Sequence, residues 1–214
     1  MTLDDALQAC PVVAILRGVR PEEVVGVAEA LLEAGVVGVE VPFNSPEPLE
    51  SIALLAKNFE GRMVCGAGTV LQRGQVDKVA AAGGRIIVSP NTDDEVIRRA
   101  VLLKMEPAPG FATASEAFAA LKAGARHLKL FPAVTYGPAH VKQLKAVLPP
   151  EAVVWAVGGV GAPNMAEWWA AGVRAFGIGS ELYRPGQSPR QTLEKARRVV
   201  NAATALRAAS GVEP

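Results

Sequence analysis

Short β-branched runs recur along the whole chain, and each is followed by a stretch rich in Ala, Leu, Glu and Lys. Runs such as VVAILRG (12–18), IIV (86–88) and VVWAVGG (153–159) do not alternate apolar with polar residues. That texture suits parallel strands covered on both faces. Many of the intervening stretches open on helix N-terminal signals, at Pro21-Glu22-Glu23, Ser45-Pro46-Glu47, Thr92-Asp93-Asp94-Glu95, Ser115-Glu116 and Ala162-Pro163-Asn164. Several close on Ala-Gly, at Ala34-Gly35, Ala82-Gly83, Ala123-Gly124 and Ala171-Gly172, where Gly fits a left-handed cap. Eight strands are predicted, near 12–18, 38–43, 63–69, 85–90, 106–110, 127–132, 153–159 and 175–180. The strand–helix unit repeats about every 25 residues, which predicts an α/β fold of parallel βαβ units closed into a (β/α)8 TIM barrel. One barrel domain over 1–214 is expected, with an extra helix over 3–10 before the first strand. A doubly wound sheet would need fewer strands, and the chain has no G-x-G-x-x-G opener.

Composition narrows the function classes. Lys and Arg total 22 against 21 Asp and Glu, a net charge of +1, so there is no basic footprint for nucleic acid. Mean hydropathy is +0.24, but the apolar runs are broken before the roughly 18 residues a membrane span needs. The opening MTLDDALQAC is acidic and lacks the pattern of a secretory signal. Two cysteines, Cys10 and Cys65, with no C-x-x-C, predict a reducing cytoplasm and two small core residues. Two histidines, His127 and His140, argue against most His-rich metal sites. His127 is expected to pack within its strand and His140 to lie at the surface.

In such a barrel the site lies at the C-terminal ends of the strands. Strand residues alternate in direction. If Val39 and Val41 face the helices, Glu40 points inward; if Leu128 and Leu130 do, His127, Lys129 and Phe131 point inward. Arg17 follows Val13 and Ile15 into the interior, and Thr69 ends the third strand. Ionisable groups in a dry interior are costly unless paired. One reading is a buried structural ion pair or a snorkelling Lys. The other is amine catalysis, in which a desolvated Lys near a second cation becomes a nucleophile for a ketone while a carboxylate moves protons. The Gly-rich ends of strands seven and eight, Val157-Gly158-Gly159-Val160 and Gly177-Ile178-Gly179-Ser180, suit a phosphate cradle of backbone N–H groups.

The ordered motifs Ala14-Ile15-Leu16-Arg17-Gly18, Val39-Glu40-Val41-Pro42-Phe43-Asn44-Ser45-Pro46, Gly66-Ala67-Gly68-Thr69-Val70-Leu71, Val88-Ser89-Pro90-Asn91, Pro109-Gly110, Leu128-Lys129-Leu130-Phe131-Pro132, Val157-Gly158-Gly159 and Gly179-Ser180 run from about residue 12 to 190. With them the chain resembles the class I aldolases of 2-keto-3-deoxy-6-phospho sugar acids. The resemblance implies that Lys129 forms a Schiff base and Glu40 is the general acid/base. It implies that Arg17 and Thr69 hold the substrate carboxylate and that Phe131 and Pro90 wall the lysine. Gly158, Gly159, Gly179 and Ser180 would cradle phosphate. No metal and no cofactor are implied; the ligands are pyruvate and a phosphorylated sugar acid, and the assembly is a homotrimer.

Two branches differ within that resemblance. The phosphogluconate branch usually reads R-T after the catalytic Glu segment and T-G-G at strand seven. Asn44-Ser45 and Val157-Gly158-Gly159 here, with Leu182-Tyr183-Arg184 before Gly186-Gln187-Ser188, look like the 2-dehydro-3-deoxy-6-phosphogalactonate branch. The two substrates differ at the C4 hydroxyl, which Val157 cannot hydrogen-bond and a Thr could. Phosphogluconate or 4-hydroxy-2-oxoglutarate cleavage is the neighbouring alternative. A phosphosugar isomerase or epimerase, or a non-catalytic phosphate-binding barrel, would keep the glycines without needing Lys129 and Glu40 together. Trp168 and Trp169 are adjacent on a predicted helix and point about 100° apart. Either they form one broad core-facing stripe or one of them is left for a contact between subunits.

Overall fold

The structure, a computed structural model, describes residues 1–210; residues 211–214 of the expected 1–214 domain lie outside the described residues. Helix α1 (Leu3–Ala9) precedes β1 (Val12–Ile15), and strands and helices then alternate, except that two short strands follow one another between the fifth and sixth helices. They are α2 (Pro21–Ala34), β2 (Gly38–Pro42), α3 (Pro48–Asn58), β3 (Val64–Gly68), α4 (Arg73–Ala81), β4 (Ile86–Val88), α5 (Asp94–Leu102), β5 (Glu106–Ala108) and β6 (Gly110–Phe111). The second half adds α6 (Ala114–Ala123), β7 (His127–Leu130), α7 (Ala133–Lys145), β8 (Val153–Val157), α8 (Met165–Ala170), β9 (Ala175–Ile178) and α9 (Pro189–Ser210).

The strands form one nine-stranded parallel sheet in the order β5-β4-β3-β2-β1-β9-β8-β7-β6. Its two terminal strands are halves of one predicted strand, interrupted at Pro109, which has no N–H to donate. The sheet therefore curls back on itself as a nearly closed barrel. Lys129 N bridges the break by donating to Pro109 O at 2.9 Å.

The helix signals hold with one exception. Asp93 caps α5 by accepting from Val96 N at 3.0 Å, and Thr113 caps α6 with Glu116 as its reciprocal partner. Gly35 and Gly124 close α2 and α6 in the left-handed region. Ser45 does not cap α3, which begins at Pro48 behind Glu47. The Ser45 hydroxyl instead accepts from Gly18 N at 2.9 Å and ties the ends of β1 and β2 together.

Alternation sorts the core into two layers. Val12, Ala14, Val39, Val41, Leu128 and Leu130 pack against the helices. Val13, Ile15, Val64, Ile86, Val88, Trp155 and Val157 fill the barrel. Leu3, Ala6 and Leu7 of α1 join that inner layer and plug its lower end. Burying each such aliphatic side chain is worth about 1.5–3 kcal/mol. Arg207 of α9 fastens the plug by donating to the carbonyls of Leu7, Gln8 and Ala9, the orphan acceptors at the end of α1. Cys10 and Cys65 are buried and free. Trp168 and Trp169 are both buried within the chain, so the pair gives no sign of association. Trp169 reaches the core by stacking on Phe176 of β9, with centroids 6.4 Å apart.

His127 is a packed strand residue at the plugged end. Its Nδ1 accepts from Trp155 Nε1 at 3.1 Å, and its Nε2 faces Asp4 Oδ1 at 3.5 Å. Burial holds its pKa down to about 4, against the pull of Asp4, with Arg126 adding to the depression. In an unfolded chain a histidine takes its proton near pH 6.5, so the unfolded state binds more protons between there and about pH 4. Stability is thus full above about pH 6.5 and falls by roughly 2–3 kcal/mol as pH drops toward 4. Urea unfolding at stepped pH checks this. His127→Gln, which keeps an acceptor for Trp155, should flatten that part of the curve.

Candidate active site

A cavity of about 620 Å³ opens at the C-terminal ends of the strands. Its inner wall holds Glu40 from β2, Lys129 from β7, Ile15 from β1 and Val157 from β8. Arg17, Thr69 and Phe131, just past β1, β3 and β7, complete that side. The far side is made by Gly158 to Gly161, Gly179 and Ser180. Of the residues expected here only Pro90 does not line the cavity. Its carbonyl instead packs against Gly110, where a Cβ would fall 2.2 Å away.

Glu40 and Lys129 are 3% and 6% exposed. They do not form an ion pair, and Glu40 Oε2 is buried without a hydrogen-bond partner. Space for the carboxylate comes from the neighbouring strand. A Cβ at Gly68 would lie 1.9 Å from Glu40 Oε2, and one at Gly66, opposite Glu40 in the register, 2.0 Å from Ile86 O. Lys129 is paired with Gly110 on one side and Trp155 on the other, and its Nζ sits 4.7 Å from the centroid of the Phe131 ring. Burial drives the Lys129 pKa down, with Arg17 pushing the same way and Glu40 opposing. Burial drives the Glu40 carboxyl up, against Lys129 and Arg17. Both groups are thereby moved toward neutral pH, where a proton can pass between them or to a bound molecule.

Thr69 has φ of +56°, a left-handed backbone that a β-branched residue adopts only under strain of about 1–2 kcal/mol. Gly158 and Gly159 are also left-handed, at +95° and +76°. A Cβ on Gly159 would meet Val134 at 2.6 Å. Sequence reading missed Asn164 as part of this wall, taking it only for a helix start. Its Nδ2 donates to Gly159 O at 2.9 Å and its Oδ1 accepts from Gly161 N at 3.0 Å, so it holds the glycine loop in shape. Arg184, noted before only as a flanking residue, is the one cation on the far side of the cavity among the described residues, with Glu181 beside it. His127 lies outside the cavity lining, and half-buried His140 contacts Ala112 O through Nε2 at 2.7 Å. No cluster of three His, Cys, Asp or Glu side chains able to hold a metal occurs among the described residues.

Residues 3–199 match the family described as "Aldolase: KDPG and KHG aldolase". The chain belongs to this family. It is 48% identical over 192 residues to the 2-dehydro-3-deoxy-6-phosphogalactonate aldolase of Escherichia coli K12, covering 90% of this chain and 94% of that protein. A solved "Native KDPGal structure" superposes with a TM-score of 0.90 at 47% identity, over 92% of this chain and 95% of that one. A cube-shaped cage designed by fusing symmetric oligomeric domains gives a TM-score of 0.93 at 46% identity, over 94% of this chain and 75% of that one.

The glycine at position 68 gives a direct check on the site. In Gly68→Ala the flexible Glu40 tip must move, so the barrel should survive and turnover should fall about 100-fold, the cost of misplacing a reacting group by about 1 Å. Gly66→Ala meets backbone instead and should lower the melting temperature. Thermal melts and aldol-cleavage rates on both variants separate the two effects.

Proposed function

We propose that the chain is a Schiff-base aldolase cleaving 2-dehydro-3-deoxy-6-phosphogalactonate to pyruvate and D-glyceraldehyde 3-phosphate. The observation that carries the reading is a desolvated Lys129 beside a buried carboxylate with an unpartnered oxygen. Neutral Lys129 adds to the C2 ketone, and protonated Glu40 gives its proton to the departing carbinolamine hydroxyl, so that water leaves, an iminium forms and Glu40 is left ionised. Ionised Glu40 takes the C4 hydroxyl proton. The C3–C4 bond then breaks, its electrons flow to the iminium, and the aldehyde leaves. The enamine is protonated at C3, and water releases pyruvate and restores the amine. Burial that lowers the Lys129 pKa supplies the free amine near neutral pH, and burial that raises the Glu40 pKa lets the carboxyl return its proton.

Arg17 and Thr69 hold the substrate carboxylate in this reading, and the ring of Phe131 covers the lysine. Pro90 acts from behind Gly110. Gly158, Gly159, Gly179 and Ser180 receive the phosphate, as left-handed glycines can turn successive N–H groups toward an anion. The reading needs neither metal nor cofactor. It takes the protein as a cytoplasmic homotrimer; likeness to a cage built from symmetric oligomeric domains supports self-association. No helix among the described residues is long and apolar enough to cross a membrane.

Borohydride should trap a covalent pyruvate adduct on the wild type and none on a folded Lys129→Ala variant. Trapping that survives the substitution would rule out Lys129 as the Schiff-base amine, and a wild type that traps no pyruvate would revive the isomerase and binding-barrel alternatives.

Val157 tests the choice of epimer. It packs in a space opened by Gly177, where a Cβ would stand 2.7 Å from Val157 Cγ2. An apolar wall discriminates weakly between hydroxyl configurations, so a preference of about 10–200-fold is expected in place of exclusivity. Val157→Thr should shift the ratio of kcat/KM values toward the gluconate epimer in a pyruvate-coupled assay. A wild type preferring that epimer, with no response to the change, would favour the 2-dehydro-3-deoxy-6-phosphogluconate alternative.

A further inference from the structure

Arg17 is an exposed side chain at the cavity rim, yet it is not left to swing. Its Nη1 donates to Asn44 Oδ1 at 2.6 Å, a short contact for a charge-assisted hydrogen bond. Arginine can only donate, so the Asn44 carbonyl and not its amide must face it. The two residues belong to backbone frames fixed independently of this contact. On the Arg17 side, Leu16 N donates to Glu40 O at 2.9 Å and Gly18 N to Ser45 Oγ at 2.9 Å. Gly18 is left-handed at +79°, with a Cβ there only 2.7 Å from Pro185 Cγ, so the turn after Arg17 has one shape. On the Asn44 side, Phe43 N donates to Gly68 O at 2.8 Å and Ser45 N to Pro42 O at 2.9 Å.

We propose that Asn44 is a positioning residue for Arg17, fixing the guanidinium at the cavity rim, where it meets the substrate carboxylate, without cancelling its charge. The proposal rests on the aldolase reading above, in which Arg17 binds that carboxylate. The neutrality of the acceptor matters. A carboxylate at position 44 would pair with the guanidinium and compete with the substrate for it. A neutral carbonyl orients the fork and leaves its charge for the ligand and for the reacting pair. That pair is Glu40 on β2 and Lys129 on β7; the other ionisable groups lining the cavity are Arg17 past β1, which acts on both, and Glu181, Tyr183 and Arg184.

The test is a set of kinetic measurements on wild type, Asn44→Ala, Asn44→Asp, Arg17→Ala and the Arg17→Ala/Asn44→Ala double variant. Cleavage of 2-dehydro-3-deoxy-6-phosphogalactonate is followed across pH, with borohydride trapping of pyruvate alongside. Asn44→Ala should raise KM about 3–30-fold with kcat held within about threefold, because only the placement of a binding group is lost. Its pH profile should keep the wild-type midpoint, as no charge has changed. Asn44→Asp should raise KM further and move the ascending limb to higher pH, because a new negative charge favours the protonated Lys129. In the Arg17→Ala background, Asn44→Ala should have no additional effect. A wild-type KM in Asn44→Ala, or an equal loss with and without Arg17, overturns the positioning role. Asn44→Asp preserves shape and keeps the test alive if the alanine variant fails to fold. A wild type that traps no pyruvate overturns the aldolase reading itself, a result separable from failure of the Asn44–Arg17 pairing.

Discussion

Glu40 occupies space that any side chain at position 68 would fill, and the rest of the site follows from that vacancy. A carboxylate pointing into a packed barrel needs a neighbour strand with no Cβ at the same height, and β3 supplies Gly66 and Gly68. The same device recurs at Gly177 beside Val157, whereas Gly110, paired with Lys129, makes room for the Pro90 carbonyl. Four glycines on inner strands would weaken an ordinary sheet. Here the nearly closed ring of parallel strands compensates, since helices cover its outer face and aliphatic side chains fill its lower half.

The electrostatics depend on the same enclosure. Were Glu40 and Lys129 in direct contact, each would hold the other charged and neither would react. Their separation leaves desolvation as the leading influence on both. Desolvation moves an acid and a base in opposite directions, so one environment makes the lysine a better nucleophile and the glutamate a better proton donor. Arg17 is the third member: it favours the neutral amine and the ionised carboxylate together. The charge it carries therefore acts on the reacting pair as well as on a bound anion.

Much of this was legible in the chain. The strand–helix rhythm gave the barrel, and alternation alone turned Glu40 and Lys129 to the correct side of their strands; Arg17, expected in the interior, lies past the end of β1 and is exposed at the cavity rim. The glycine turns at 158–159 and 179 announced the far wall. What could not be read were features set by contact between distant segments. The break of one predicted strand into β5 and β6 depends on how Pro109 falls against β7. Ser45 resembled a helix cap until Gly18 claimed its hydroxyl. The adjacent tryptophans hinted at a subunit contact because helical geometry separates them, yet α8 is wedged so that both find the core. Asn164 read only as a helix start and Asn44 only as a branch marker, because their positioning contacts lie in the groups they touch.

Ring closure has a temporal side. Strand β1 is bonded along one edge to β2, which is made soon after it, and along the other to β9, with Val12 opposite Phe176. During vectorial synthesis that second edge stays bare until most of the polypeptide has left the ribosome. A bare parallel edge is a template for pairing with other chains. The α1 plug fits under the same strands, and its Arg207 clasp comes from still later in the chain. The earliest and latest segments must therefore find each other last, and the nascent protein is most exposed to misassembly just before its ring is sealed.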